Sequence, residues 1–212
     1  MTDHSYRVVS RREPYQAAIF SVVSDEVTMP DGGTARRDWT RHLGAAAVVA
    51  LDESGRIVLV RQYRHPVGRH MWEIPAGLVD VAGESGVETA KRELAEEADF
   101  TATRWDLLVE AHTSPGFSDE LVRVFLARDL TPVPDHERHQ REHEEADMLV
   151  RLVDLDEAVA MVFRSEITNS SNALGILAAA RARDEAWAPL RPADTPPPAR
   201  ATAAPHGQGS SI

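Results

Sequence analysis

The segment at residues 92–97 constrains the fold and chemistry of this chain more than any other segment, because it places three glutamates on one side of a predicted helix. Residues 85–98 are rich in Ala, Glu, Lys and Leu and contain no proline, which favours a helix. A helix advances about 100° per residue, so Glu93 and Glu97 share a face and Glu96 lies beside them. Such carboxylates repel each other unless a cation neutralises them, and their hard oxygen atoms suit Mg²⁺ or Mn²⁺.

An apolar stripe on the same helix occupies positions other than those of the glutamates. It consists of Val87, Ala90, Leu94 and Ala98, at spacings of three or four. The helix can therefore bury one side and offer carboxylates on another. A solvated acidic face, with Lys91 and Arg92 as counterions, is the ordinary interpretation of an isolated helix of this kind. The preceding loop favours the metal site, because residues 74–77 (Ile-Pro-Ala-Gly) end a β-type segment and a backbone carbonyl there can point at the same metal.

The chain before this helix has the residues of a β-rich fold. Residues 6–29 and 34–43 predict strands, separated by a turn at residues 29–33 (Met-Pro-Asp-Gly-Gly). The apolar run at residues 44–51 (GAAAVVAL) is typical of a strand buried on both faces, and residues 56–63 predict the next strand. The first part of the chain is therefore expected to consist of β-hairpins.

The chain after the helix mixes strands with two further helices. Strands are predicted near residues 105–111, 121–127 and 149–153, and helices at residues 154–164 and 169–183. Asp154 and Asn169 are favourable N-cap residues for those helices. The order of elements predicts an α/β fold, with a small β domain before a sandwich of helices and a mixed sheet.

Composition divides the chain into three parts. We expect an N-terminal β domain at residues 1–42, a larger domain at residues 43–183 and a disordered tail at residues 184–212. The tail holds six of the 13 prolines and is otherwise rich in Ala, Thr, Gly and Ser. It is therefore expected to bury too little apolar surface to offset the entropy of ordering.

Charge and cysteine content limit the partners of the chain. The net charge of −11 disfavours binding to nucleic acid, but it permits a small anionic substrate when a divalent cation mediates the contact. Cysteine is absent, which excludes disulfides and thiolate metal sites and is common among cytoplasmic proteins. An apolar run of about 18 residues and a signal-peptide stretch are also absent, so we expect a cytoplasmic protein without membrane contact.

The spacing around the helix resembles the signature of the Nudix hydrolase family. That signature is a glycine, five residues, a glutamate, seven residues, then Arg-Glu-aliphatic-x-Glu-Glu-x-Gly-aliphatic. The chain matches it at Gly77, Glu84, Arg92, Glu93, Leu94, Glu96, Glu97 and Phe100. It departs from the signature by having six residues between Gly77 and Glu84, and by Asp99 at the glycine position. Asp tolerates a left-handed backbone better than most residues, and neither departure removes a metal ligand.

Four further segments resemble the ADP-ribose pyrophosphatase subfamily, in particular its actinobacterial members. They are residues 61–65 (RQYRH), 72–77 (WEIPAG), 114–120 (SPGFSDE) and 143–148 (HEEADM). The resemblance implies a Nudix α/β/α sandwich with a mixed sheet, preceded by a small N-terminal β domain. It also implies a homodimer with exchanged N-terminal strands, and Mg²⁺-dependent hydrolysis of ADP-ribose to AMP and ribose 5-phosphate.

The resemblance further implies a metal site. The ligands are the carbonyl of Ala76 and the carboxylates of Glu93 and Glu97, with Glu96 as an additional ligand. Mg²⁺, or Mn²⁺ in its place, would bridge the pyrophosphate, neutralise its charge and lower the pKa of the attacking water, which gives Glu93 and Glu97 catalytic roles. Arg92 is expected to anchor the preceding loop by pairing with Glu84.

Substrate contacts and a general base are implied by the same resemblance. The implied substrate contacts are Arg64 at the phosphates, the acid Glu120, and Phe20 and Arg37, which reach the substrate of the partner chain. A general base suits a carboxylate on a mobile loop rather than one bound to metal. The match through residues 147–148 assigns this role to Glu144. Glu145 is the alternative, because a shift of one residue in the alignment exchanges the two.

Two other functions fit part of these observations. The same metal chemistry serves hydrolysis of another nucleotide sugar or of a dinucleotide, because the signature reports the bond that is cut and not the group attached to it. A nucleotide-ligand sensor with the same fold and without catalysis is the second alternative. Such sensors usually lack one or more of the signature carboxylates, and all of them are present here.

Overall fold

Residues 6–141 and 147–199 are described by the computed structural model, and they fall into two units. The first unit contains residues 6–42, 114–120 and 196–199. The second contains residues 43–113, 121–141 and 147–195. No helix in these described ranges has the length and apolar character needed to cross a bilayer.

The first unit is built on a three-stranded antiparallel sheet in the order β1 (Val8–Gln16), β2 (Phe20–Thr28) and β3 (Thr34–His42). The predicted turn between β2 and β3 is confirmed, with the Met29 N–H donating to the Gly33 carbonyl at 2.8 Å. Asp25 is buried in this sheet and accepts hydrogen bonds from Arg11 and from the indole of Trp39. The hydrogen bond from Arg11 lowers the pKa of Asp25 and outweighs the opposing effect of burial.

Residues 114–120 belong to the first unit, whereas the sequence analysis placed them in the larger domain. The reason is hydrogen bonding to β3. The Thr40 N–H donates to the Phe117 carbonyl at 2.7 Å, and the His42 N–H donates to Asp119 Oδ1 at 2.7 Å. Both pairs are 77 residues apart in sequence, so local patterns could not reveal them.

The second unit contains two sheets and three helices. Its strands are β4 (Ala45–Ala50), β5 (Arg56–Arg64), β6 (Arg69–Glu73), β7 (Ala76–Leu78), β8 (Phe100–His112), β9 (Leu121–Pro132), β10 (Leu149–Asp154) and β11 (Arg191–Pro192). Its helices are α1 (Gly86–Ala98), α2 (Leu155–Phe163) and α3 (Ser170–Asp184). One sheet has the order β11-β8-β9-β4-β7 and is mixed, because β4 runs parallel to β9; the other has the order β10-β5-β6 and is antiparallel.

Helices α2 and α3 begin at the predicted N-caps. Asp154 Oδ1 accepts the Asp156 N–H at 2.9 Å, and Asn169 Oδ1 accepts the Ser171 N–H at 3.1 Å. Each bond satisfies one of the backbone donors that a helix N-terminus leaves without an intrahelical partner. The sequence therefore predicts both helix starts correctly.

Strand β4 lies between two apolar layers, which explains its continuous apolar sequence. Ala47 and Val49 pack in the cluster that contains Met161 of α2 and Ile176 of α3. Their neighbours Ala46, Val48 and Ala50 pack in the other cluster, together with Ala90 and Leu94 of α1. Successive side chains of a strand point to opposite faces, so one strand serves both layers. The predicted α/β/α sandwich with a mixed sheet is confirmed.

The expectation of a disordered tail from residue 184 is corrected for residues 184–195. Strand β11 pairs antiparallel with β8, and Arg191 Nη1 lies 2.9 Å from Glu110 Oε2. Arg123 Nη2 donates to the Thr195 carbonyl at 2.5 Å, and the guanidinium of Arg128 lies 5.0 Å from the Trp187 ring. Composition underestimated this segment because a few apolar residues are enough to attach it to the core, where Trp187 and Leu190 pack, and arginine contacts add to them. Residues 200–212 lie outside the described residues.

Candidate active site

Helix α1 begins and ends as its sequence predicts. Ser85 is the N-cap of a capping box: its Oγ accepts the Glu88 N–H at 3.4 Å, and its N–H donates to Glu88 Oε2 at 2.8 Å. At the other end Asp99 adopts a left-handed backbone with φ 58°, and its N–H donates to the Ala95 carbonyl. The departure from glycine at this position is thus accommodated by a residue that tolerates the conformation.

Two of the three signature glutamates are buried, although they are acidic. Glu93 is 8% exposed and Glu97 is 3% exposed, whereas Glu96 is partly open to solvent. Glu97 Oε2 accepts the Ala76 N–H at 2.9 Å. A buried carboxylate needs polar partners, and this bond places the Ala76 peptide directly beside the acidic face of α1. The structure therefore places Glu97 beside Ala76, and the ligand roles of Ala76, Glu93, Glu96 and Glu97 stay predictions.

Gly77 is required by the close approach of strand β7 to α1. A Cβ atom built on Gly77 would lie 1.9 Å from Glu93 Oε1 and 2.1 Å from Glu93 Cδ. Nonbonded atoms cannot approach this closely, so any side chain at position 77 would displace the glutamate. The glycine of the signature thus provides room for Glu93 beside the loop backbone.

Arg92 lies among the acidic side chains of this site. Its Nη1 atom contacts Glu93 Oε1 at 2.6 Å and Glu96 Oε2 at 3.0 Å, while Nε and Nη2 each lie 3.4 Å from a Glu84 oxygen. The predicted pairing of Arg92 with Glu84 is confirmed. Burial lowers the pKa of Arg92, but the hydrogen bond to Glu84, the charge of Glu93 and the hydrogen bonds to Glu96 and Glu93 outweigh it and raise the pKa. The guanidinium therefore stays charged and offsets the repulsion between the carboxylates.

The acidic face fits a hard divalent cation that shares its coordination with a substrate. In the described part of the chain, no group of three or more Asp, Glu or His side chains converges as a ready-made metal cage. Mg²⁺ usually binds proteins through one or two carboxylates and keeps positions for water and substrate phosphates. Glu93 and Glu97 supply such a pair, and the Ala76 peptide lies beside Glu97. The donor set therefore fits a divalent cation that keeps positions open for other ligands.

Arg64 lies at the end of β5 and is tied to a buried acid. Its Nη2 atom contacts Glu73 Oε2 at 2.6 Å, and its Nε atom contacts the same oxygen at 3.1 Å. The Glu73 side chain is 1% exposed, while that of Arg64 is 39% exposed. Glu73 precedes Ala76 by three residues, so the chain runs directly from the partner of Arg64 to the backbone beside Glu97.

The segment that carries the predicted general base is anchored just before it begins. Arg141 Nε donates to the Glu96 carbonyl at 3.0 Å, and Arg141 Nη2 contacts Asp99 Oδ2 at 2.7 Å. On the other side of the segment, Asp147 Oδ2 lies 3.0 Å from Nε2 of His70. Glu144 and its alternative Glu145 lie outside the described residues, so their assignment stays a prediction.

The remaining predicted substrate contacts lie in the first unit. Phe20 begins β2 and is exposed, with its ring centroid 6.1 Å from that of Tyr15. Arg37 on β3 is exposed, and its Nη1 atom donates to the Arg36 carbonyl at 2.9 Å. Glu120 is partly buried, and its Oε1 atom lies 3.6 Å from His42 Nδ1. Their roles toward a substrate stay predictions.

Three residues near the site were not assigned by the sequence. Glu73 is part of the WEIPAG segment, and an acid between Trp and Ile at the end of a strand is the signal that could have identified it. Asn172 accepts the Ile74 N–H at 3.1 Å, and Arg141 binds the end of α1. Both contacts join positions far apart in the chain, and no local pattern marks either residue.

Comparisons with known proteins agree with this geometry. Residues 40–171 match the NUDIX domain. The chain is 46% identical to an ADP-ribose pyrophosphatase of Mycobacterium tuberculosis, over 92% of both chains. It is 34% identical to an ADP-ribose pyrophosphatase of Bacillus subtilis, over 80% of this chain and 90% of that protein. Its fold is similar to the crystal structure of an ADP compounds hydrolase, with a TM-score of 0.72 at 19% identity over 88% of this chain and 99% of the other.

The family assignment rests on agreement between the domain match, the relatives and the local geometry. The NUDIX match contains the capped helix α1, the buried pair Glu93 and Glu97, and the glycine at position 77 that makes room for them. The chain therefore belongs to the Nudix hydrolase family.

Proposed function

We propose that this protein hydrolyses the pyrophosphate bond of ADP-ribose, producing AMP and ribose 5-phosphate. The observation that carries the proposal is the buried pair Glu93 and Glu97, held against the Ala76–Gly77 backbone on a capped helix. Similarity to two ADP-ribose pyrophosphatases, at 46% and 34% identity, supports ADP-ribose as the substrate.

The metal ligands proposed here are the Ala76 carbonyl, Glu93 and Glu97, with Glu96 as a further ligand. Mg²⁺, or Mn²⁺ in its place, would neutralise the pyrophosphate and lower the pKa of the attacking water. The protein contributes a placed pair of carboxylates, because Glu97 accepts the Ala76 N–H and Glu93 is bonded to Arg92 in the room that Gly77 leaves. Arg92 holds Glu93 and Glu96 close together before a metal arrives.

The proton of the attacking water needs an acceptor, and we assign this role to Glu144. A carboxylate coordinated to metal is a poor base, so a separate acid is required. The supporting observation is that Arg141, three residues earlier, is bonded to the carbonyl of Glu96 at the end of α1. The chain therefore enters the acidic segment next to the helix that carries the metal ligands. Glu145 is the alternative base.

We further propose a homodimer with exchanged N-terminal strands, in which Phe20 and Arg37 contact the substrate held by the partner chain. The first unit exposes an unusual number of large apolar side chains, which favours burial against another chain. They are Tyr6, Val9, Tyr15, Ile19, Phe20 and Phe117. Light scattering at micromolar concentration should give twice the chain mass, and a monomer alone would contradict the proposal.

The lack of cysteine supports a cytoplasmic location.

A substrate screen tests the proposed activity. The protein is incubated with Mg²⁺ and ADP-ribose, GDP-mannose or NADH, and both products are identified by chromatography. We expect AMP and ribose 5-phosphate from ADP-ribose, at a kcat/KM at least tenfold above those of the other two compounds. Faster cleavage of GDP-mannose or NADH would show that ADP-ribose is not the preferred substrate and that the other nucleotide is. Tight nucleotide binding without cleavage of any compound would indicate a ligand sensor.

A further inference from the structure

The buried carboxylate of Glu73 is part of no predicted metal or catalytic set, yet it collects polar contacts from three side chains. Arg64 donates to it through Nε and Nη2, at 3.1 and 2.6 Å. Gln62 Nε2 lies 3.3 Å from Oε2, and Asn169 Nδ2 lies 3.1 Å from Oε1. Burying a charge is costly unless it is paired and hydrogen-bonded, and these contacts meet that requirement.

The geometry of the pair indicates that Glu73 orients Arg64. A guanidinium is a rigid plane, so fixing two of its nitrogen atoms on one carboxylate fixes the direction of the whole group. The Glu73 side chain is 1% exposed and that of Arg64 is 39% exposed. The buried carboxylate therefore holds a guanidinium that reaches the surface. Buried ion pairs contribute little net stability, so stability alone is a poor reason for this arrangement.

The support for Glu73 comes from helix α3. Asn169 is the N-cap of α3, and the same side chain donates to Glu73 Oε1 while accepting the Ser171 N–H. One turn later, Asn172 accepts the N–H of Ile74 at 3.1 Å. The start of α3 therefore holds both the side chain of residue 73 and the backbone of residue 74. These contacts fix the end of β6, where Glu73 contacts Arg64.

From these contacts we infer that Glu73 is a positioning residue, which, supported by Asn169, orients the Arg64 guanidinium toward the diphosphate of the substrate. This inference rests on the proposed function, because it assumes that a diphosphate binds beside Ala76. Arg64 makes the contact, and Glu73 acts only through Arg64. Loss of the Glu73 charge should therefore weaken diphosphate binding only while Arg64 is present.

A double-mutant cycle on ADP binding tests this dependence. ADP carries the diphosphate, and its affinity in the presence of Mg²⁺ is measured by calorimetry for wild type, Glu73→Gln, Arg64→Lys and the double variant. We expect each single variant to weaken ADP binding about tenfold, and the double variant to bind within about threefold of Arg64→Lys. Losses that multiply, to about a hundredfold in the double variant, would overturn the inference, as would unchanged affinity in Glu73→Gln.

The matched control is Glu110→Gln. It removes the charge from another buried ion pair of the same unit, in which Arg123 Nε lies 2.8 Å from Glu110 Oε1. The change of chemistry is the same and both acids are largely buried, but neither residue of the control pair belongs to the proposed site. We expect ADP affinity within twofold of wild type. A tenfold loss in Glu110→Gln would mean that any broken buried pair weakens binding, which would contradict a specific role for Glu73.

A second variant covers the case in which Glu73→Gln fails to fold. Asn169→Ser keeps an N-cap residue for α3 but removes the amide that donates to Glu73. We expect ADP binding about threefold weaker than wild type when Arg64 is present, and no further change in the Arg64→Lys background. An equal loss in both backgrounds would overturn the inference.

The same measurements separate this inference from the proposed activity. ADP binding that depends on Arg64 and Glu73, together with no cleavage of ADP-ribose, would refute the proposed substrate and leave the inference standing. Cleavage of ADP-ribose with full ADP affinity in Arg64→Lys would refute the inference and leave the activity standing. Wild-type protein that binds no ADP in the presence of Mg²⁺ would refute the role of Arg64 and with it the inference.

Discussion

The α-carbon of Gly77 and the carboxylate of Glu93 are so close that a Cβ on residue 77 would lie 1.9 Å from Glu93 Oε1. A side chain at position 77 and the observed position of Glu93 thus exclude each other. The loop glycine and the helix glutamate are 16 residues apart in sequence, and they act as one unit of the site. This relationship makes the metal site testable without touching any ligand.

Gly77→Ala should displace Glu93 and lower turnover of ADP-ribose by at least about a hundredfold, because a metal-binding carboxylate leaves its place. The apparent affinity for Mg²⁺ in a metal titration should fall in parallel. The control is Gly86→Ala at the start of α1, where the nearest neighbour of the new Cβ is an Arg123 side-chain atom at 3.5 Å. This variant should keep its turnover. Normal metal dependence in Gly77→Ala would show that Glu93 does not need its observed position.

Glu97→Gln should abolish most activity and leave the fold intact. The amide keeps the volume and can still accept the Ala76 N–H, but it lacks the charge that we propose binds the metal. We expect a loss of about a hundredfold or more in turnover, or about 3 kcal/mol of transition-state stabilisation. Glu88→Gln on the same helix is the matched control, because glutamine also serves in a capping box. Near-normal turnover of Glu97→Gln at saturating Mg²⁺ would exclude a ligand role.

Glu144→Gln should lower turnover by about two to four orders of magnitude, the usual contribution of general acid–base catalysis. The KM for ADP-ribose should change little, and the loss should shrink at high pH, where hydroxide needs less assistance. The measurement is a pH–rate profile of Glu144→Gln beside that of Glu145→Gln. Full turnover in Glu144→Gln with loss of turnover in Glu145→Gln would identify Glu145 as the general base. Full turnover in both would place it elsewhere.

Substitutions of Asp99 should separate the backbone requirement from the ion pair with Arg141. Asp99→Gly suits the left-handed backbone but loses the contact with Arg141 Nη2 at 2.7 Å. These two effects on the free energy of unfolding should largely cancel. Asp99→Ala loses the contact and also strains the backbone, which should cost about 1 to 2 kcal/mol more than glycine. Urea unfolding of both variants measures the difference. Equal stabilities would show that the left-handed backbone carries no strain in alanine.

The parts of this structure that could be predicted from sequence are those set by neighbours in the chain. Ser85, Asn169 and Asp99 fix helix ends through bonds to residues two to four positions away, and such patterns are visible in the sequence. The pairing of Arg92 with Glu84 is also local, because the two residues are eight positions apart at the start of α1.

The parts that could not be predicted depend on contacts between distant positions. Asn169 and Glu73 are 96 residues apart, and Arg191 and Glu110 are 81 apart. Nothing near either acid marks its partner. The prolines after residue 184 suggested a disordered chain, but Pro192 lies in an edge strand, where a missing N–H costs little.

The short pairing of β11 with β8 also bears on how much of the sheet edge is open to other strands. Strand β8 would otherwise be the outer strand of its sheet, and a long outer strand offers unpaired backbone groups to other molecules. Arg191 and Pro192 cover it at Leu107 and Asp106, near the middle of its length. A foreign strand could then pair only with residues 100–105 or 108–112 of β8, on either side of this block. Arg191 and Pro192 thus shorten the open edge of the sheet.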